Sequence, residues 1–187
     1  NMAGNCGLSV IGAAEGYTRN GKADEAKKHA ALDLAAKAEV VLFFMGLDEI
    51  SESEGLDRTN MKLPHNQNEL LIELSKINKN IVVILSAGSA VEMPWRKDVK
   101  AIVHGYLGGQ AGAGAMLDVL AGRVNPSGKL AETIPDRYED TPSYNYFPGD
   151  LRDVYYKEGL YIGYRYFDTV GKEVAFPFGY GLSYTSF

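Results

Sequence analysis

Apolar residues in this chain fall into short runs separated by segments with helical spacing. Three runs, rich in β-branched and other large apolar residues, predict buried strands: Val40–Met45, Ile81–Leu85 and Ala101–Tyr106. A strand covered on both faces shows no alternation of apolar and polar positions, and this is the pattern of the first two runs. Strands that alternate with helices predict an α/β fold with a largely parallel sheet.

Helices are predicted between and after these runs. The first covers Asp24–Lys37, where apolar residues recur every four positions. They are Ala26, Ala30, Leu34 and Ala38. The second covers about Gln67–Ile77, after the start signal Pro64, and carries an apolar face. That face consists of Leu70, Leu71 and Leu74. A third helix ends near Leu120, and Leu8–Gly12 predicts a weak strand ahead of the first helix.

A glycine-rich segment, Gly108–Gly114, stands between the third strand and the third helix, where a phosphate-binding loop would also lie. Its spacing matches neither the dinucleotide-binding fingerprint nor the Walker pattern, and no Lys-Ser or Lys-Thr pair follows. We interpret these glycines as allowing a tight strand-to-helix turn and close packing of the helix on the sheet.

The character of the chain changes after Arg123. Turn residues such as Asn125–Gly128 and Thr141–Tyr144 replace the alternating pattern, and most of the 12 tyrosines lie between Tyr138 and Tyr166. We expect an irregular, aromatic-rich tail that wraps the surface, packs well and contains a hairpin.

Composition narrows the classes of function. The chain has 187 residues, a net charge of −5 and no run of Lys or Arg, so it lacks the basic footprint of a nucleic-acid-binding protein. The longest apolar run is far shorter than the roughly 20 residues of a membrane-spanning helix. A complete (β/α)8 barrel needs at least about 200 residues, so the chain cannot contain one.

The first residues, Asn1–Asn5, show neither the basic nor the apolar region of a secretory signal. The sequence leaves the compartment open, with the cytoplasm slightly favoured. It also leaves the oligomeric state open.

Most residues with reactive side chains are expected to be structural. His29, His65 and His104 lack the spacing of metal ligands, and no metal site is predicted. Cys6 is a lone cysteine with no histidine nearby. Ser86–Ala90 follows a strand but does not match the G-x-S-x-G nucleophile elbow.

The loop after the first buried strand is the candidate site. Within Leu47–Leu63, five carboxylates crowd into ten residues. They are Asp48, Glu49, Glu52, Glu54 and Asp57. Loops at the carboxyl ends of parallel strands commonly carry function. Crowding and partial burial are expected to raise the pKa of such carboxyls, so that one of them could donate a proton near neutral pH. A solvated acidic surface loop is the alternative. The spacing does not fit a calcium loop.

Several motifs resemble one family in the family's own order. Glu54–Arg58 followed by Leu63–Gln67 is similar to the acid/base loop and next helix of glycoside hydrolase family 3 β-glucosidases. The later segments that resemble the family are Asn80–Ser89, Pro94–Arg96, Gly108–Gly112, Gly122–Leu130, Tyr164–Asp168 and Phe176–Thr185. The resemblance extends from about Gly21 to the end of the chain.

The resemblance implies a three-layer α/β/α sandwich of flavodoxin-like type, which forms one domain over residues 1–187. It implies that Glu54 is the general acid/base of a retaining β-glucosidase that acts on terminal β-D-glucosyl residues. Glu52 is the alternative acid. Asp57 and Arg58 are expected to form an ion pair that fixes the loop, or to lie beside the sugar.

The same resemblance implies what this chain lacks. The family's (β/α)8 barrel supplies the Asp nucleophile, so the chain alone is expected to be inactive, and the first βα unit of the sandwich is expected to be missing. The implied partners are the barrel and a β-glucoside or cello-oligosaccharide, and no cofactor is implied. A non-catalytic α/β interaction module is the alternative function. Because the acidic loop has few apolar anchors, we expect it to be poorly fixed without the barrel.

Overall fold

The computed structural model describes residues 9–150 and 152–186, so Cys6 and part of the predicted strand Leu8–Gly12 lie outside the described residues. The chain divides into two compact units. Unit 1 comprises Asn1–Arg58, Lys62–Ser89 and Pro94–Asn125. Unit 2 comprises Thr59–Met61, Ala90–Met93 and Pro126–Phe187.

Unit 1 contains the alternating strands and helices that the sequence predicts. In chain order its described elements are α1 (Glu25–Ala35), β1 (Val41–Gly46), α2 (His65–Ile77), β2 (Ile81–Ser86), β3 (Ala101–His104) and α3 (Gly112–Leu120). The three strands form one parallel sheet in the order β1-β2-β3, with Gly46 opposite Ser86 and Leu85 opposite His104. The predicted α/β class with a parallel sheet is confirmed.

The central strand β2 has the most deeply buried side chains of the sheet. Ile81, Val83 and Leu85 are fully buried, in agreement with the prediction. Full burial is predicted for β1 as well, and there it is wrong. Phe43 and Met45 are buried, but Phe44 is 58% exposed on the opposite face. Successive side chains of a strand point to opposite faces, and the described residues leave the face that carries Phe44 largely uncovered.

Side chains occupy the free edge of β1. The Tyr17 hydroxyl donates to the Phe44 carbonyl at 2.8 Å. The buried Gln67 amide forms two bonds with Gly46, accepting from its N–H at 2.9 Å and donating to its carbonyl at 3.0 Å. These bonds satisfy backbone groups that an edge strand would otherwise offer to another strand.

Helix α2 agrees with the predicted pattern, whereas α1 does so only in part. Leu70, Leu71 and Leu74 of α2 are buried. In α1, Ala26 and Ala30 are exposed, although Ala35 is buried. An alanine offers only one methyl group to burial, so the alanine repeat does not decide which face of the helix packs.

The predicted weak strand Leu8–Gly12 does not form over its described residues, 9–12. Residues 9–15 form no strand, and Val10 and Ile11 are more than half exposed, because no described strand pairs with them.

The turn before α3 supports the structural interpretation of its glycines. A Cβ at Gly108 would lie 2.9 Å from the Gly112 Cα, and Gly109 has φ +59°, which favours glycine. No helix in the described ranges is long and apolar enough to cross a membrane.

The buried side chain of Asn78 ties the end of α2 to the end of α1. Its amide donates to the carbonyls of Ala35 at 3.1 Å and Ala38 at 2.8 Å, and its Oδ1 accepts from the Asn80 N–H at 2.8 Å. One side chain therefore satisfies three backbone groups where α1, α2 and β2 meet.

Replacement of Asn78 by alanine tests this junction. Asn78→Ala is expected to lower the free energy of unfolding by about 1–3 kcal/mol, because buried carbonyls lose their donor. The matched control is Asn80→Ala, which removes a single exposed bond to the Glu39 carbonyl at 3.2 Å and should cost less. Urea unfolding followed by Trp95 fluorescence measures both, and equal losses would contradict the role of Asn78.

Unit 2 differs from the prediction in two ways: it contains a helix that was not predicted, and several of its aromatic side chains are exposed. Residues Tyr164–Val170 form helix α4, which the aromatic pattern did not predict. In place of a hairpin, distant segments pair through mutual bonds between Ile134 and Phe176 at 2.9 and 3.1 Å. Tight packing of the tail is wrong for several aromatic residues, since Tyr156 is 87% exposed and Tyr155 and Tyr161 are more than half exposed.

A buried carboxylate links two parts of unit 2. Asp140 is 6% exposed, and its Oδ1 lies 2.9 Å from the Lys172 Nζ and 3.3 Å from the Arg137 Nη2. The bond from Lys172, followed by the bond from Arg137, lowers the pKa of Asp140.

Asp140 is therefore expected to make unfolding pH-dependent. A carboxyl whose pKa is lowered by folding contributes stability above its unfolded pKa of about 3.9 and loses it as the pH falls through the folded pKa. The difference in unfolding free energy between wild type and Asp140→Asn should thus be largest near pH 7 and shrink below about pH 4. Urea unfolding followed by circular dichroism measures it. The exposed Asp168→Asn is the control, and a difference that does not change with pH would contradict the role of the ion pairs.

Candidate functional site

The acidic loop leaves the sheet where β1 and β2 end side by side. The Leu47 N–H donates to the Ser86 carbonyl at 2.9 Å, so parallel pairing continues one step beyond Gly46. The loop therefore begins next to the turn that follows β2, which contains Gly88 and Ser89. The parallel register determines which residues the loop can reach.

The first two carboxylates of the loop are engaged near its start. Asp48 Oδ1 accepts from the N–H groups of Ile50 at 3.2 Å and Ser51 at 3.0 Å. Arg19 pairs with Glu49 and lies 3.9 Å from Asp48 Oδ2. The bond from the Ser51 N–H is the main cause that lowers the pKa of Asp48. The pKa of Glu49 is lowered by a bond from its own N–H and by Arg19. The expectation that crowding raises the pKa of these carboxyls is wrong for both residues, because donors outnumber repulsive neighbours.

Glu52, the alternative acid, lies under the loop rather than at its tip. Its Oε2 accepts from the Gly88 N–H at 2.7 Å, and its Oε1 accepts from the Ser89 hydroxyl at 2.7 Å. Both carboxylate oxygens are therefore bound to the turn after β2.

Glu54 occupies a turn that projects from the loop. Ser53 and Leu56 pair across it, with a bond from the Leu56 N–H to the Ser53 carbonyl at 3.3 Å. Gly55 has φ +79°, the conformation that the third position of a type II turn requires. The Glu54 side chain is exposed, and within the described residues its carboxylate has no hydrogen-bond or ion-pair partner.

Asp57 and Arg58 differ from each other in their surroundings. Asp57 is exposed, whereas Arg58 is part-buried and its Nη1 donates to the Ser89 hydroxyl at 3.0 Å. Arg58 reaches the turn after β2, which offers a part-buried acceptor. The expected ion pair between Asp57 and Arg58 stays a prediction.

Three polar residues in the first turn of α2 hold neighbouring segments of unit 1. Asn66 Nδ2 donates to the Thr18 carbonyl at 2.9 Å, and Asn68 Oδ1 accepts from the buried Trp95 Nε1 at 2.8 Å. Gln67, between them, binds Gly46 at the end of β1. The family motif Leu63–Gln67 includes Asn66 and Gln67 but not Asn68, and all three side chains make contacts that hold the fold of unit 1.

A cavity of about 290 Å³ opens beside the ends of β1 and β2. None of Glu52, Glu54, Asp57 and Arg58 lines it. Its lining residues are Tyr17, Arg19, Phe44, Met45, Gly46, Leu47, Asp48, Gln67, Ile84 and Ser86. The chemistry that the sequence predicts therefore lies on the projecting loop, outside this cavity.

The histidines make local contacts. His29 Nδ1 lies 2.8 Å from the Glu25 carbonyl, His65 pairs with Glu69 at 3.2 Å, and the His104 ring stacks on Tyr106 at 3.8 Å. Among the described residues no group of His, Cys, Asp and Glu could hold a metal ion.

Sequence reasoning missed three residues that shape the loop, namely Arg19, Gly88 and Ser89. Ser89 was considered as a nucleophile and as the end of the family segment Asn80–Ser89, but not as a partner of the loop, although its hydroxyl bonds to both Glu52 and Arg58. One signal was available, since the carboxyl ends of adjacent parallel strands meet at one edge of a sheet. The turn after β2 therefore had to lie beside the loop after β1.

Comparison with known proteins identifies the family. Residues 5–184 match the family described as "Glycosyl hydrolase family 3 C-terminal domain". The chain belongs to this family. Among its relatives is the "Thermostable beta-glucosidase B" of Acetivibrio thermocellus, 53% identical over 92% of this chain and 23% of the relative. An "Exo-alpha-(1->6)-L-arabinopyranosidase" of Bifidobacterium breve is 48% identical over 88% of this chain and 22% of that protein.

Solved structures of family 3 enzymes share the fold. The glycoside hydrolase family 3 β-glucosidase of Bifidobacterium adolescentis has a TM-score of 0.94 and 46% identity, over 99% of this chain and 28% of that one. The β-glucosidase of Kluyveromyces marxianus in complex with glucose has a TM-score of 0.85 and 41% identity, over 88% of this chain and 20% of that one. The chain thus spans about a fifth to a quarter of the family 3 proteins it matches, and their other domains lie outside it.

Proposed function

We propose that this chain supplies the general acid/base, Glu54, to a retaining glycosidase that removes terminal β-D-glucosyl residues. The observation that carries the proposal is the contrast between two glutamates of one loop. Both oxygens of Glu52 are held by the turn after β2, whereas Glu54 projects from a turn with no partner in the described residues. A general acid must have an oxygen free to contact the leaving group.

The proposed reaction uses two carboxyl groups. Glu54 gives its proton to the glycosidic oxygen while an Asp nucleophile attacks the anomeric carbon and forms a glycosyl-enzyme. The ionised Glu54 then accepts a proton from water as that water releases the sugar. The nucleophile is assigned to a (β/α)8 barrel outside this chain, and the length of the relatives leaves room for such a domain.

The remaining predicted residues take supporting roles in this proposal. Arg58 fixes the far side of the Glu54 turn through Ser89. Asp57 is exposed one residue from it, and we assign it to the sugar-facing side of the loop. Glu52 remains the alternative acid. The two-carboxyl reaction requires no cofactor or metal.

The substrate class rests on the relatives. Three of the matched proteins named above are β-glucosidases, one of them in complex with glucose, and another is an arabinopyranosidase. We propose a β-glucoside or cello-oligosaccharide as substrate.

We also propose that the sheet is covered on both faces as a three-layer sandwich, and that units 1 and 2 form one domain, since one family model spans both.

Exposed apolar residues in unit 2 fit a chain that belongs to a larger enzyme. Tyr156 and Leu160 are each more than four-fifths exposed, as measured without any other domain. Apolar surface of this kind commonly marks a protein interface. A non-catalytic interaction module would share this property, so activity has to decide between the two functions.

Replacement of Glu54 tests the proposal in the full-length enzyme. Glu54→Ala is expected to lower kcat/KM about 10²- to 10⁴-fold for substrates with poor leaving groups, such as cellobiose. The loss should be much smaller for 2,4-dinitrophenyl β-glucoside, whose leaving group needs no proton. Azide should then speed turnover of the activated substrate and yield a β-glycosyl azide. The matched control is Glu49→Ala, which removes another exposed carboxylate from the loop. Equal losses for both substrates without azide rescue would contradict the proposed role.

The chain by itself is expected to be inactive. The purified 187-residue chain should hydrolyse aryl β-glucosides no faster than buffer, because the nucleophile lies outside it. A folded sample, checked by circular dichroism, and the full-length enzyme as positive control make the assay decisive. Hydrolysis that scales with chain concentration, and that the Glu54→Ala chain lacks, would overturn the dependence on a barrel.

A further inference from the structure

We propose that Glu52 and Ser89 are positioning residues that clamp the segment carrying Glu54, an inference that rests on the proposed function. Glu52 stands just before the Ser53–Leu56 turn, and Arg58 stands just after Asp57. Both side chains end at one group, the Ser89 hydroxyl, at 2.7 and 3.0 Å. The segment from Ser53 to Asp57 is therefore held at both ends by the turn after β2.

The chemistry of the Ser89 hydroxyl determines which atoms of the clamp donate a hydrogen bond and which accept one. A serine hydroxyl donates one hydrogen bond and can accept two. Ser89 uses its proton toward Glu52 Oε1 and accepts from Arg58 Nη1, so it stands between a carboxylate and a guanidinium. Hydrogen bonds with one ionised partner are about twice as strong as neutral ones. The clamp is thus a stronger tie than the few apolar contacts of the loop.

The backbone completes the clamp at Gly88. Its N–H donates to Glu52 Oε2 at 2.7 Å, so the carboxylate is held by two adjacent residues. A Cβ at residue 88 would lie 3.1 to 3.2 Å from the carboxylate atoms, which is a crowded contact. A side chain here would require the Glu52 carboxylate to shift by a few tenths of an ångström. Glycine at position 88 therefore contributes to the clamp, because it gives the Glu52 carboxylate room to bind the backbone N–H.

Positioning matters because general-acid catalysis depends on geometry. A misplacement of about 1 Å can lower the rate about 10²-fold. Glu54 has no partner of its own in the described residues, so the segment that carries it must supply its placement. Glu52 and Ser89 do this without touching the substrate, and both are distinct from the residue that transfers the proton.

The test uses the full-length enzyme with Ser89→Ala and Glu52→Ala, assayed on cellobiose and on 2,4-dinitrophenyl β-glucoside. Each variant should lower kcat on cellobiose about 10- to 100-fold, with a small change in KM and little loss on the activated substrate. Glu52→Gln keeps an acceptor for the Gly88 N–H and should lose less than Glu52→Ala. The loop carboxylate control, Glu49→Ala, should match wild type on both substrates.

Double variants separate positioning from general loss of structure. In the Glu54→Ala background, Glu52→Ala or Ser89→Ala should cost less than a further twofold on cellobiose, because the group being positioned is gone. A further loss as large as that in the wild-type background would overturn the clamp. So would azide rescue of Glu52→Ala with none for Glu54→Ala, since Glu52 would then be the acid.

Different results would contradict the acid/base role of Glu54 and the clamp formed by Glu52 and Ser89. If Glu54→Ala is itself unselective between the substrates, the proposed function fails and the clamp has no acid to position. If Glu54→Ala is selective and Ser89→Ala matches wild type on both, only the clamp fails. Amide exchange on the full-length enzyme adds a readout independent of activity. Ser89→Ala should speed exchange of the Leu56 N–H while leaving that of Leu85 in β2 unchanged, and equal rates at Leu56 would overturn the clamp.

Discussion

The parallel pairing of β1 with β2 is the constraint on which the site depends. The register places Gly46 opposite Ser86, and the chains approach so closely there that a Cβ at residue 46 would lie 1.9 Å from the Ser86 carbonyl oxygen. Gln67 holds Gly46 from the other side through both atoms of its amide. The end of β1 is thus fixed between β2 and α2, and the acidic loop must start beside the turn after β2.

The sequence predicts the fold correctly where a segment carries enough large apolar residues to show that it is buried. Ile81–Leu85 and the leucines of α2 are recognisable because large apolar side chains gain most from burial. The face of α1 and the exposure of Phe44 could not be read in the same way. They depend on which elements pack beside them, and alanine and phenylalanine are compatible with either outcome. Helix α4 was missed because five of the seven residues of Tyr164–Val170 are aromatic or β-branched types with weak helix preference, while glycine stands at each end.

The candidate site depends on the sequence in a different way, and it stays a prediction. Its loop was chosen on physical grounds, since loops at the carboxyl ends of parallel strands collect functional residues. The choice of Glu54 came from family resemblance, because the spacing of five carboxylates does not distinguish them. Their pKa directions could not be inferred from crowding. Asp48 and Glu49 have donors from the backbone and from Arg19, which is almost 30 residues away along the chain, and such partners appear only in the folded chain.

The carboxylates of this loop differ in how firmly the rest of the chain holds them. A carboxylate oxygen that already accepts hydrogen bonds has fewer lone pairs left for a leaving group. Asp48 accepts from two backbone N–H groups, and Glu52 accepts from Gly88 and Ser89. Neighbours that are tied down in this way also give the loop its shape. Glu54 differs from them because the turn holds its carboxylate away from every donor in the described residues. In the proposed function, that carboxylate is left open to a leaving group held by whatever packs against the loop.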